Sequence, residues 1–283
     1  MHTNTEGCSP SLRAQLGVGW NRALPAPFSF GSGVRLDGSN DYFKAFGSAL
    51  IGQSIATLGG TVFFEFWVKT TAAGTGATTF FEVADTVNST AFSLRHSNSG
   101  VGSWTLGNFT SGQFVAFTDV DVVAFNGNPI HVFISYNAST LILTCTINRV
   151  RPYQATMLSG PQIFSQLTIG SRNGSGPLAP AASQIFDEFR VYKSTPSSGI
   201  LGTGDLNLNY NGGLGNNPSK TENLLAWWQF TEGIAPAILY PGGIPGGWTA
   251  GAYGIKDSSP NGVNLMQLNM TNNATLGGVL QAF

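Results

Sequence analysis

The hydrophobic residues of this chain come in short runs whose period is two, and that spacing limits the fold more than any other feature of the sequence. Thr61–Thr70 (TVFFEFWVKT) is the clearest case, and Ala91–His96, Trp104–Leu106, Gln113–Val123, Ile130–Tyr136, Leu141–Val150 and Ile185–Tyr192 repeat it. Each run is β-branched or aromatic and is bounded by Gly, Asn, Ser or Pro, as strands are. In the first 200 residues no stretch keeps a 3.6-residue apolar period for the ten or more positions a packed helix needs. Ile130–Tyr136 and Leu141–Val150 flank the polar loop Asn137-Ala138-Ser139-Thr140, which predicts a hairpin. Asp119 and Asp121 alternate with Val120 and Val122, the pattern of a strand with one wet face rather than of a glycosidase carboxylate pair. The expected fold is all-β, a two-sheet antiparallel sandwich.

Composition removes several function classes. Charged residues make up 10% of the 283, against roughly 25% in ordinary domains, and the net charge is -1. Such a chain has no field for a phosphate backbone, so nucleic acid is excluded as a partner. With 42% hydrophobic residues and 20 Phe, it can bury a core and is not disordered. Gly and Pro are abundant but show no three-residue period, which excludes collagen. Apolar runs such as Phe114–Phe117 and His131–Ile134 fall far short of the ~20 residues that span a bilayer. The start, MHTNTEGCSPSLRAQLGVGW, lacks a basic head, apolar block and cleavage site. Taken as the native start, it points away from ordinary secretion and toward an intracellular protein, a piece of a processed chain or a virion component. Cys8 and Cys145 allow one bridge at most, and free, buried thiols are the favoured reading. His2, His96 and His131 have no zinc-site spacing.

Three zones follow along the chain. Residues 1–27, with Cys8, Pro10, Pro25 and Pro27, read as an N-terminal arm that either docks on a neighbour or wraps the surface. Residues 28–193 hold most of the strands. Residues 194–283 begin with a Gly/Asn/Ser-rich connection from Ser194 to Glu222, with one short helical turn near Ile200–Leu208, and continue into the strand Leu224–Phe230 and two weaker strands. This last zone is too short for a second domain and is expected to complete the same sandwich.

Three stretches carry a resemblance. The first is Gly33-Val34-Arg35-Leu36-Asp37-Gly38-Ser39-Asn40-Asp41-Tyr42-Phe43, followed by Phe63-Phe64-Glu65-Phe66-Trp67-Val68-Lys69. The second is Ile185-Phe186-Asp187-Glu188-Phe189-Arg190-Val191-Tyr192. The third joins Leu224–Gly233 (LLAWWQFTEG) to Asp257-Ser258-Ser259-Pro260-Asn261-Gly262. In combination these resemble the laminin G-like branch of the concanavalin A-like lectin/glucanase superfamily. The third stretch departs from the usual order, since it follows the second instead of preceding the first. It either packs as an added C-terminal strand or supplies a strand to a neighbouring copy.

The resemblance implies a jelly roll, often with one Ca²⁺ and sometimes with bound glycan. Calcium takes six to eight oxygens, and the resemblance places candidates at Asp37, Asn40, Asp41 and Asp187; a plain β-turn rich in turn formers is the alternative at 37–41. Sugar rings stack on aromatic faces, which makes Trp104, Tyr136 and Trp248 the carbohydrate-binding candidates, while Trp67 reads as core. The neighbours Trp227 and Trp228 point to opposite faces of their strand, so one of them is core. Hydrolytic relatives resemble one another in an E-x-D-x-x-E strand, which is absent here. Asp187 and Glu188 are expected on opposite faces. The chain is therefore not expected to be an enzyme. The expected function is a structural protein of a virion or similar assembly (a phage capsid decoration, spike or tail-associated protein), possessing glycan-binding ability, partnered by further copies or other virion proteins and not inserted in a membrane. The alternative is a calcium-dependent carbohydrate-binding adhesion module of a secreted or cell-surface protein.

Overall fold

A computed structural model describes residues 33–36, 42–70, 77–97, 103–108, 112–118, 129–149, 152–171, 184–194, 203–211, 215–230, 254–255, 257–268 and 280–281. The N-terminal arm, the 37–41 turn, Asp119 and Asp121 lie outside these residues. Among the described residues sixteen strands follow in chain order: β1 (Gly33–Leu36), β2 (Tyr42–Phe46), β3 (Thr61–Thr70), β4 (Ala77–Asp85), β5 (Thr90–Ser97), β6 (Ser103–Asn108), β7 (Gln113–Thr118), β8 (Ile130–Asn137), β9 (Ile142–Ile147), β10 (Pro152–Thr156), β11 (Gln166–Ile169), β12 (Gln184–Lys193), β13 (Leu224–Trp228), β14 (Gly254–Ile255), β15 (Asn264–Leu268) and β16 (Leu280–Gln281). Among the described residues one α-helix, α1 (Thr203–Tyr210), and a short 3-10 turn (Thr221–Asn223) stand between β12 and β13.

The strands form two eight-stranded antiparallel sheets, a jelly-roll sandwich. Sheet A runs β10-β9-β8-β3-β12-β1-β16, and sheet B runs β14-β15-β2-β11-β4-β5-β6-β7. β13 is the eighth strand of sheet A and shares an edge of β12 with β1: β1 pairs with Gln184–Phe186, and β13 with Phe189–Tyr192. Among the described residues no helix is long and apolar enough to cross a membrane.

Alternation in β3 explains the layering. Val62, Phe64, Phe66 and Val68 enter the core between the sheets, while Phe63, Glu65 and Trp67 occupy the outer face of sheet A. Across the core, Phe64 meets Phe81 of sheet B at 5.0 Å, and within sheet A Phe66 stacks on Phe189 of the adjacent strand at 4.8 Å and 5°. Trp228 joins this core and donates its indole N–H to the Val263 carbonyl at 2.6 Å, while Trp227 faces outward. The hairpin of β8 and β9 forms where the sequence places it, closed by Asn137, whose Oδ1 accepts from the amides of Ser139 and Thr140. Cys145 is a buried free thiol. Gly59 has φ +87 and lies so close to the Ser194 carbonyl that a Cβ would stand 1.8 Å from its oxygen; no other residue fits.

The C-terminal strands fold back onto their own chain: β13 on β12, β15 on β2. The turn Asp257–Gly262 holds them there. Asp257 accepts from the amides of Trp227 (2.9 Å), Ser259 (2.8 Å) and Val263 (2.8 Å), and Asn261 Nδ2 donates to the Leu224 and Leu225 carbonyls.

Truncating Phe66, at the centre of these ring contacts, to Ala is expected to cost about 3–5 kcal/mol. Urea unfolding followed by fluorescence measures it, and a loss below about 1 kcal/mol contradicts the packing described.

Candidate functional site

On the outer face of sheet A the described residues bring Glu65, Asp187, Glu188, Arg190 and His131 together, because pairing aligns residues of four strands into rows. Phe133, Glu65, Arg190 and Trp227 stand abreast on β8, β3, β12 and β13, and His131, Trp67 and Asp187 form the next row. Helix α1 and the 215–223 segment cover this face. Leu206 of α1 packs with Phe63, Phe133, Tyr192, Leu224 and Trp227, and Tyr210 stacks on Trp67 at 5.8 Å and 9°.

Glu65 is the hub. Its carboxylate accepts from His131 Nε2 (2.9 Å), Arg190 Nη1 (3.4 Å), the Tyr192 hydroxyl (2.9 Å) and Asn209 Nδ2 of α1 (2.9 Å). Burial alone would raise its pKa, but the Arg190 charge, the His131 contact and the Tyr192 hydroxyl outweigh it and hold the group down at about 2. Arg190 also bonds Glu188 (2.9 Å) and the Asn216 carbonyl, while Glu188 accepts from the Trp227 indole at 2.5 Å. A carboxylate held by four donors, ionised and out of solvent, can neither attack a substrate nor deliver a proton.

A bulge in β12 builds the rest. The β3 register slips between Asp187 and Arg190, with Glu188 at φ +53. This overturns the expected opposite-facing pair: Asp187 lies beside Trp67, and Glu188 reaches Arg190 and Trp227, so both carboxylates stand on the outer face. Asp187 is fully buried; the Glu188 amide faces its carboxyl, but no donor meets either oxygen in full hydrogen-bond geometry. Burial, reinforced by the Glu188 charge, pushes its pKa up to about 9.

The other residues singled out in the sequence lie elsewhere. Trp104 is 0% exposed and stacks on Phe80 at 4.8 Å inside the sandwich. Tyr136 is 0% exposed, bonds the Pro161 carbonyl at 3.0 Å and packs on Phe92. Neither presents a face to a sugar, because the β-pleat turns both toward the core. Trp248, Asp37, Asn40 and Asp41 lie outside the described residues. Leu36, the last described residue before that turn, pairs with Gln184, three positions or roughly 10 Å along β12 from Asp187. Asp187 offers two unengaged oxygens to a cation, but Glu188 beside it is taken, so the described residues supply one carboxylate of the six to eight oxygens calcium needs. Trp67, read as core, is buried on the outer face, beneath Tyr210. The Glu65 cluster went unread in the sequence, since its members are 144 positions apart at the extremes; Glu65 and Arg190 did stand inside the strings that carry the resemblance.

No family model and no curated protein matches the sequence. Several solved structures are similar in shape. A candidate carbohydrate-binding protein from Bacteroides ovatus ATCC 8483 matches at 14% identity and TM-score 0.47, over 87% of this chain and 59% of that one. The enzymatically active domain of bacteriophage CBA120 tailspike protein 2 matches at 14% and 0.46, over 66% and 28%. Domains LG4-5 of the mouse laminin α1 chain match at 10% and 0.37, over 59% and 43%. The chain thus spans between about a quarter and three fifths of the length of these structures.

The Asp187 proton gives a pH test. The folded protein binds this proton more tightly than the unfolded chain, whose value is near 3.8, so stability is greatest below about pH 4 and falls as the pH climbs toward 9. Asp187→Asn keeps the shape without the titration. In calcium-free buffer it is expected to melt above wild type at pH 8 and level with it at pH 4; equal melting at both pH values contradicts a lone buried carboxyl. Glu65→Ala leaves His131, Tyr192 and Asn209 without their shared acceptor and Arg190 with Glu188 alone of its two carboxylates, and is expected to cost about 3–5 kcal/mol in urea unfolding.

Proposed function

We propose that the chain is a non-catalytic structural module with a laminin G-like sandwich, a component of a virion or similar assembly that contacts glycans. The observation that carries the non-catalytic part is Glu65: this buried, ionised carboxylate is saturated by four donors and serves to fasten α1 to sheet A. The glycan part is supported by the sandwich itself and by the laminin G-like strings of the sequence. The assembly part is supported by low charge, since a surface with little net field meets copies of itself without strong repulsion. Partners are then other copies, other virion proteins and neutral sugars.

One observation favours a second reading, a calcium-dependent adhesion module at a cell surface or outside the cell. Asp187 has both oxygens unengaged in a buried place, which suits a cation. Calcium would there bridge Asp187 to oxygens contributed from outside the described residues, Asp37, Asn40 and Asp41 being those the resemblance names.

Native mass spectrometry of the purified chain with and without chelator, followed by a glycan array, tests both. An oligomer that survives chelation together with selective glycan binding is expected. An inert array removes the glycan role, a chelator-sensitive mass favours the adhesion module, and cleavage of any arrayed glycan contradicts the non-catalytic reading.

A further inference from the structure

We infer that the outer face of sheet A contains a closed pyranose subsite centred on Trp67, which Tyr210 of α1 fills and a glycan ring enters by displacing it. The inference rests on the glycan-contacting function above and names its location. Register places His131, Trp67 and Asp187 side by side on three neighbouring strands. One face of the indole is covered by Tyr210, stacked at 5.8 Å and 9°, while the His131 ring lies beside it at 4.8 Å, tilted by 53°. The slot over Trp67 therefore already admits a flat ring.

The second observation is what flanks that slot. Asp187 has no partner for either oxygen, and His131, whose Nε2 is committed to Glu65, has none for Nδ1; both residues are 0% exposed. Native interiors rarely leave such atoms unpaired, and each one asks for a reason. Here three of them, on two residues, bracket one aromatic ring from strands about 5 Å to either side of it. An apolar face with hydrogen-bonding groups at its rim is the chemistry that receives a sugar, whose C–H face stacks while its hydroxyls reach outward. Asp187 and His131 would each meet a hydroxyl, and Trp67 the ring.

Tyr210 is suited to leave. It is the last residue of a two-turn helix, a length that is marginal by itself in water. The helix is tied down through other residues: Asn209 to Glu65, Leu206 in the apolar cluster and Asn207 to Arg149. Removing the Tyr210 ring leaves those ties in place.

The test is titration of the full chain with methyl β-D-glucopyranoside and methyl β-D-galactopyranoside, read by tryptophan fluorescence and saturation-transfer NMR. Wild type is expected to bind one of them weakly and saturably. Tyr210→Ala binds it about tenfold tighter, because a competing stacked ring is gone, and Asp187→Asn about tenfold weaker. Should Tyr210→Ala fail to fold, wild type against Asp187→Asn decides the matter. Equal affinities across the variants, with the wild-type glycan array still positive, place sugar elsewhere and overturn the subsite while leaving the glycan function intact. No binding in the titrations and on the array overturns both. A rise in melting temperature with calcium in wild type but not in Asp187→Asn makes Asp187 a cation ligand and likewise overturns the subsite.

Discussion

The Glu65 carboxylate fixes the arrangement of everything outside the sandwich core. A charge on the outer face of a sheet is ordinarily left in water; here it is buried, and an unpaired charge in that position would be costly. Arg190 neutralises it from β12, His131 and Tyr192 bond it from the strands on either side, and Asn209 brings α1 down over it. Arg190 in turn needs Glu188, and Glu188 reaches it only because β12 bulges there. The bulge then leaves Asp187 beside Trp67 with nothing to bond. One buried acid thus leads, partner by partner, to the position of the helix, the irregularity in the strand and, among the described residues, a buried carboxylate that the fold leaves without a hydrogen bond.

Much of the fold was legible because period two is a local property. Thr61–Thr70 is β3 as read, and the hairpin at Asn137 closes as its polar loop predicts. The expected helical turn near Ile200–Leu208 is α1, displaced a few residues toward the C-terminus. The sequence pattern does not mark β2, β10 and β11, which are four or five residues long, so that pairing rather than propensity makes them strands, and it does not mark the nine-residue β4 either, where Phe80, Phe81 and Val83 stand among polar and small residues.

The site was less legible, for two physical reasons. Exposure is not written in a residue's type: Trp104 follows a polar stretch, yet its indole lies against Phe80 because the pleat turns it inward. A bulge changes which face a side chain takes, and no local pattern announces it; alternation sends Asp187 and Glu188 to opposite faces, whereas the extra residue puts both on one. Sequence pattern located Asp187 as a residue worth examining, but its orphaned state depends on where Arg190 and Trp227 direct their donors.

Burial also changes the meaning of the low charge. Of the 14 acidic residues, Glu65, Glu82, Asp85, Asp187, Glu188 and Asp257 are buried, and so are Arg95 and Arg190 among the 13 basic ones. The surface is therefore poorer in charge than the composition states. Several of the buried carboxylates are spent on the chain itself: Asp85 caps its turn and binds the Gln162 and Ile163 amides, and Asp257 ties β13 to β15. A surface so depleted attracts neither polyanions nor polycations over distance. The partners proposed above, a neutral sugar or another copy of the chain, are of the kind that stacking and hydrogen bonds engage at short range without such a field.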